Sequence, residues 1–421
     1  MENQGGLLLR NTRLEPFLRE IVFLFLSLLF AGTIYVIPQT FLLKYYPEDK
    51  NTLLTLLIIA GTIAAILGVW MSNGRRINKA LCRRRYPTVL LLIALTILFN
   101  LLYFIHTIAL FICVLAAVKF ISNLVYNYLD TSFSGSSGEH GLKQHVKAVL
   151  LYQLLAYILA PVYFSAFFFK APFNVMGISL VSIFSIVFIL KAKGIAAATA
   201  ANPVKAREDR LDRVERSFLA YSMLIQVGMM IISSLAIFIL RDYYFYEDAV
   251  LKGGILVGYI SFISVAAIFA TAFYRKRSDK KSDAKGIVLP TATNYAAAAL
   301  FFISALLLLA RLSHAFAYLL VIGTLTGAAY GLYLHSTRTY ANMKASREHK
   351  TRVLVHYNNL PNIGTLISLS LVYIFTQISG RMGVDFNKTI LVVVLCLCLF
   401  CAAAVANYSV QQKKVFMEEI E

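Results

Sequence analysis

Charge is scarce in this sequence, and acid is scarcer than base. Charged residues make up 14% of the 421 positions, with 21 Asp and Glu against 40 Lys and Arg, while 59% of residues are hydrophobic and the mean hydropathy is +0.71. A soluble domain of this length needs far more polar surface, so that class is excluded. The period-two alternation of a membrane β-barrel is also missing. Long unbroken apolar runs such as Ile21–Phe30 and Ile390–Val405 stand in its place. Lipid is spanned only by closed barrels and by helices, which leaves helices. No cleavable leader is expected, because residues 1–20 carry both signs of charge and run into an apolar stretch too long for a leader's core. Four of the five cysteines (Cys113, Cys396, Cys398, Cys401) lie in apolar runs and Cys82 lies in a basic loop, which reads as small apolar filler rather than disulfide or metal chemistry. Seven scattered histidines show no metal-binding spacing, and no phosphate-binding Gly-Lys-Ser/Thr loop or His-Glu-x-x-His motif is present. No enzyme, cofactor or metal site is therefore expected.

What is present is a series of apolar segments, each near the roughly 20 residues that cross a hydrocarbon core. Spans are expected at 19–42, 52–72, 87–105, 107–128, 147–169, 172–191, 217–240, 250–273, 291–310, 314–335, 354–378 and 388–409. The loops between them alternate in charge. One set, with both chain ends, holds 31 Lys and Arg; the other holds eight; Lys119 alone is left inside a span. Basic loops stay in the cytoplasm, so both termini are expected there. The basic loops then act as topology determinants and anionic-lipid contacts. Nucleic acid is not an expected partner. The longest polar stretch divides the chain into an N-terminal bundle (1–191), a cytoplasmic linker (192–216) and a C-terminal bundle (217–421). The fold class expected is an all-α membrane protein, twelve transmembrane helices in two pseudo-symmetric six-helix bundles.

Lys119 is the sharpest functional signal. A cation in mid-span costs roughly 2.5–3.5 kcal/mol on insertion scales, and persists where it meets a wet cavity or a partner. Asn123, Tyr126, Asn127 and Asp130 follow it at helical spacing, on one face. The alternative is a lysine that snorkels or pairs structurally. Polar pairs at i, i+4 recur elsewhere: Tyr35/Gln39, Gln153/Tyr157, Ser222/Gln226 and Tyr373/Gln377. Amides and phenols can orient a polar substrate; each pair can equally be an interhelical hydrogen bond worth about 0.6 kcal/mol. Gly323, Gly327 and Gly331 form a small-residue series suited to close helix packing. No Asp or Glu stands in the middle of any span, and Asp130 lies near the cytoplasmic end of the fourth.

Three segments carry a family likeness. Gly68-Val-Trp-Met-Ser72-Asn73-Gly74-Arg75-Arg76 resembles the signature between helices two and three of the major facilitator superfamily, with the aspartate missing and the spacing one residue short. Leu115-Ala-Ala-Val-Lys119-Phe-Ile-Ser122-Asn123 resembles that superfamily's helix-four motif, with lysine for arginine. Ala160-Pro161 faintly echoes the Gly-Pro motif of its exporters. The resemblance implies a secondary active transporter working by alternating access, with a substrate site near the membrane midplane, and implies gating roles for Gly68, Arg75, Arg76 and Asp130. For Arg75 and Arg76, topology alone is the competing reading. With Lys119 as the firm charge, the expected substrate is a small anionic or zwitterionic metabolite, with a lean to export, for example of a siderophore-like acid. A proton or ion is the candidate coupling partner. An uptake permease of the same fold and a transport-inactive receptor or assembly scaffold are the alternatives. Short loops point to a bacterial inner membrane.

Overall fold

In a computed structural model, residues 20–33, 37–46, 50–72, 86–136, 139–167, 171–191, 211–243, 316–347 and 351–383 are described, with scattered helical residues between 265 and 307 and between 396 and 411. All regular elements among the described residues are helices: α1 (Glu20–Ala31), α2 (Ile37–Tyr45), α3 (Lys50–Ser72), α4 (Tyr86–Leu101), α5 (Ile108–Ser136), α6 (Glu139–Phe167), α7 (Ala171–Lys191), α8 (Arg213–Tyr243), α9 (Phe316–Arg347) and α10 (Thr351–Met382). The expected spans near 250–273, 291–310 and 388–409 lie mostly outside the described residues.

Helix starts follow local chemistry. Pro38, Pro87 and Pro172 each stand second in their helices, where a missing N–H costs nothing because the first turn has no intrahelical acceptor for it. Ahead of α8, Asp212 and Glu215 form a reciprocal cap. The Glu215 amide donates to Asp212 Oδ1 at 2.7 Å and the Asp212 amide donates to Glu215 Oε2 at 3.0 Å. This cap starts α8 at Arg213, five residues before the apolar run opens at Phe218. At the other end of the chain, α10 stops at Gly383, whose φ of 62° is the left-handed conformation that ends a helix cheaply only in glycine.

Several helices outrun their apolar runs. α5 continues to Ser136, α6 begins at Glu139 and α9 reaches Arg347. Hydropathy marks where a chain leaves hydrocarbon; backbone hydrogen bonding continues for as long as side chains find partners. Among the described residues one helix, Ile108–Ser134, is long and apolar enough to cross a membrane by length and composition, and shorter apolar helices accompany it. Large apolar side chains on α4 and α7 face outward, including Leu90, Ile97, Met176, Leu180 and Ile183. An apolar face of this extent is suited to hydrocarbon and not to water.

The chain forms two compact units. Unit 1 comprises Met1–Asp209 together with Asn342–Asn358; unit 2 comprises Arg210–Ala341 and Asn359–Glu421. The segment Asn342–Asn358, which hydropathy places inside the C-terminal half, belongs to unit 1, and its Asn342 and Asn358 side chains hydrogen-bond to α5. In unit 1, α3 and α5 lie backbone to backbone: a Cβ on Gly68 would meet the Phe120 carbonyl oxygen at 2.3 Å. Phe41 stacks on Phe111 at 3.7 Å, and Asn100 and Thr96 of α4 hydrogen-bond to Ser179 and Ser182 of α7. In unit 2, a Cβ on Gly331 of α9 would meet the Ala267 carbonyl oxygen at 2.3 Å. The Tyr333 hydroxyl donates to the Ser222 carbonyl at 3.1 Å, and Tyr221 stacks on Tyr408.

Candidate functional site

The face of α5 carrying Lys119, Asn123, Tyr126, Asn127 and Asp130 turns into unit 1. Lys119 is 2% exposed. Its stem lies against α3 at Gly61, where a Cβ would meet Lys119 Cδ at 2.9 Å. Its ammonium sits 5.9 Å from the centroid of the Phe30 ring on α1. Glycine at 61 leaves the groove in which the stem lies. Among the described residues no carboxylate forms an ion pair with Lys119; the ion pair seen there is that of His145 with Asp130. The Asn123 amide donates to the Lys119 carbonyl at 2.9 Å, so it is engaged on its own helix. Tyr126 is half-buried and meets the Phe23 ring edge-on at 5.6 Å.

One to three turns further along α5 lies a polar chain that links four helices. Asn127 donates to the Ser72 hydroxyl at the end of α3, and that hydroxyl donates to the Val69 carbonyl. The Asn358 amide of α10 donates to Asn127 Oδ1 at 2.7 Å and to Asp130 Oδ2 at 2.8 Å. His145 of α6 approaches Asp130 Oδ1 with Nε2 at 3.0 Å, and both side chains are 0% exposed. Ser134, one turn on, donates to Asn342 Oδ1. Both Asp130 oxygens are thus engaged, Oδ2 as acceptor from the Asn358 amide and Oδ1 against His145 Nε2. Phe23 and Phe133 flank the imidazole at 5.3 and 5.8 Å and keep the pair dry.

The structure brings Lys119, Asn123, Tyr126 and Asp130 onto one buried stripe, and adds Gly68 as the point where α3 meets α5. Gln153 is half-buried on α6. Gln226 is buried on α8 against Gly364, where a Cβ would meet Gln226 Cγ at 2.8 Å. Tyr373 is exposed on α10. Tyr35, Arg75 and Arg76, and the side chains of Gln39 and Gln377, lie outside the described residues. Sequence reading passed over the roles of Asn358 and His145. Neither shares a spacing with Asp130: His145 lies across the α5–α6 turn and Asn358 is 228 positions away. Among the described residues no group of three His, Cys, Asp or Glu could hold a metal ion.

This architecture has well-defined counterparts among solved structures. A bacterial homologue of the iron transporter ferroportin, in an outward-facing state with soaked iron, superposes with a TM-score of 0.67 at 14% identity, covering 94% of this chain and 99% of that one. The nucleoside transporter NupG, in a point-mutant form, gives 0.65 at 11% identity over 94% and 99%. Both have the major facilitator fold, and the fold of this chain is of that type. No family model and no curated protein matches the sequence.

Proposed function

We propose that the protein is a secondary active transporter of the major facilitator type, a multi-pass integral membrane protein that moves a small anionic or zwitterionic metabolite by alternating access. The single observation that carries the substrate class is Lys119. A buried ammonium costs a few kcal/mol, and a ring at 5.9 Å returns about 0.5–2 kcal/mol. The remainder favours an anion that binds and leaves, because a permanent carboxylate would hold the lysine in one state. The absence of mid-span carboxylates in the sequence fits the same substrate sign. Export is the preferred direction, on the strength of the exporter-like Ala160-Pro161. The expected setting is a bacterial inner membrane with both ends in the cytoplasm, from the loop charges. Gly68, Asp130 and the Arg75–Arg76 pair are assigned to gating, in a latch where Ser72 and Asn127 take the place of the family's aspartate.

The test is flux in proteoliposomes. Lys119→Gln should lower the initial rate at least tenfold while the variant inserts and purifies normally. Wild-type flux in that variant would refute the assignment.

A further inference from the structure

We propose that Ser222, Gln226 and Thr326 form a neutral hydrogen-bonding site inside unit 2 that recognises hydroxyl groups on the transported solute. The three belong to two facing helix stripes. Phe218, Ser222 and Gln226 follow one another at i, i+4 and i+8 on α8, while Tyr340, Tyr333 and Thr326 recur every seven residues on α9, so each set shares a face. Phe218 packs against Tyr340 with ring centroids 4.5 Å apart, and the Tyr333 hydroxyl donates to the Ser222 carbonyl at 3.1 Å. Numbers rise along α8 as they fall along α9, so the two helices run antiparallel. Continued two turns further along α9, the same register brings Thr326 level with Gln226. Gly364 of α10 closes on the stem of Gln226, where a Cβ would meet Cγ at 2.8 Å.

All three side chains are at most 1% exposed. Ser222 Oγ and Thr326 Oγ1 are buried without a hydrogen-bond partner among the described residues. A helical serine or threonine can return its proton to the carbonyl four residues back. Thr324 and Thr337 on α9 and Thr365 on α10 do so. Ser222 and Thr326 forgo that bond, and a buried hydroxyl left unmatched is destabilising. Hydroxyl and amide groups both donate and accept, which matches a ligand group that also does both, a hydroxyl. Spread over about two turns, roughly 10 Å, the three do not converge on one point as the oxygen shell of a metal cation must. They suit a chain or ring bearing several hydroxyls. The inference rests on the anion-binding role proposed for Lys119 and narrows the solute to a hydroxylated acid or a hydroxylated zwitterion.

The experiment is thermal unfolding of the full chain in nanodiscs, alone and with graded concentrations of two matched pairs: tartrate against succinate, and the amino acid serine against alanine. The members of each pair differ by hydroxyl groups alone. In at least one pair, wild type should reach a given rise in midpoint at about tenfold lower concentration of the hydroxylated member. That gap should close in Thr326→Val and in Gln226→Leu. Without solute, Thr326→Val keeps the shape and removes only the hydroxyl, so it should melt at or above wild type. Equal responses to both members of both pairs in wild type overturn the proposal. So does a gap that survives in either variant, or a solute-free Thr326→Val melt clearly below wild type. Should Gln226→Leu fail to fold, Thr326→Val carries the comparison. Lys119→Gln tests the underlying reading separately and should weaken both members of a pair alike. An intact response in Lys119→Gln with the gap present sinks the anion reading alone; a weakened response with no gap in wild type sinks the hydroxyl site alone.

Discussion

At the level of single residues, the account turns on two buried polar groups of opposite sign on one helix face. Lys119 is held by a ring and a glycine, Asp130 by an imidazole and an amide. Arginine at 119 keeps the charge but replaces a compact ammonium by a bulkier planar guanidinium. Lys119→Arg is therefore expected to retain measurable flux with a raised KM, where Lys119→Gln loses it; equal flux in the two variants would show that charge at this position is irrelevant. Asn358→Ala removes the donor to Asn127 and Asp130 and leaves a buried carboxylate short of one charge-assisted bond. It should destabilise by about 1.5–3 kcal/mol, seen as a lower thermal midpoint in detergent. The stripe from Lys119 to Asp130 was legible in the sequence because helical spacing is local. The partners were not. His145 reaches Asp130 across a helix turn and Asn358 reaches it from far along the chain, and neither relation leaves a periodic trace.

Among the helices, what the sequence predicted best was where apolar runs lie, and what it missed was where helices end. α8 starts on a charged capping box rather than on its first apolar residue, α6 starts in a polar turn ahead of its apolar run, and α5 and α9 continue into polar turns that a Ser134–Asn342 hydrogen bond joins. At about 1.5 Å per residue, the 29 residues of α5 reach about 43 Å, well past a hydrocarbon core of about 30 Å. The polar chain around Asp130 lies at the end of that overrun. Gly68 shows the same lesson in packing. Its motif resemblance implies gating, and its geometry adds a plain steric requirement, since a Cβ there would sit 2.3 Å from the Phe120 carbonyl oxygen. Gly68→Ala must force α3 and α5 apart and is expected to cost about 1–3 kcal/mol. Gly383→Ala meets no neighbour and is strained only by its positive φ, so its cost should be about 1 kcal/mol. Thermal melts of the two variants rank them directly, and a Gly68→Ala melt indistinguishable from wild type would contradict the close packing.

For the molecule as a whole, fold and orientation rest on different kinds of information. The major facilitator architecture is carried by the superposition on transporter structures at 14% and 11% identity, a level at which helix order is shared and side chains are not. Orientation comes from loop charge alone. Cys82, in a basic loop, gives a direct check: as the sole cysteine it should resist a membrane-impermeant maleimide in intact cells and react once they are permeabilised. Labelling from outside would invert the topology. The proposal of transport is tested most directly by reconstitution. Purified protein in liposomes is offered labelled small carboxylates, zwitterionic amino acids, nucleosides and organic cations. The account predicts saturable, protein-dependent movement of an anionic or zwitterionic solute that Lys119→Gln abolishes. Movement confined to cations, or no protein-dependent movement of any solute, would contradict it.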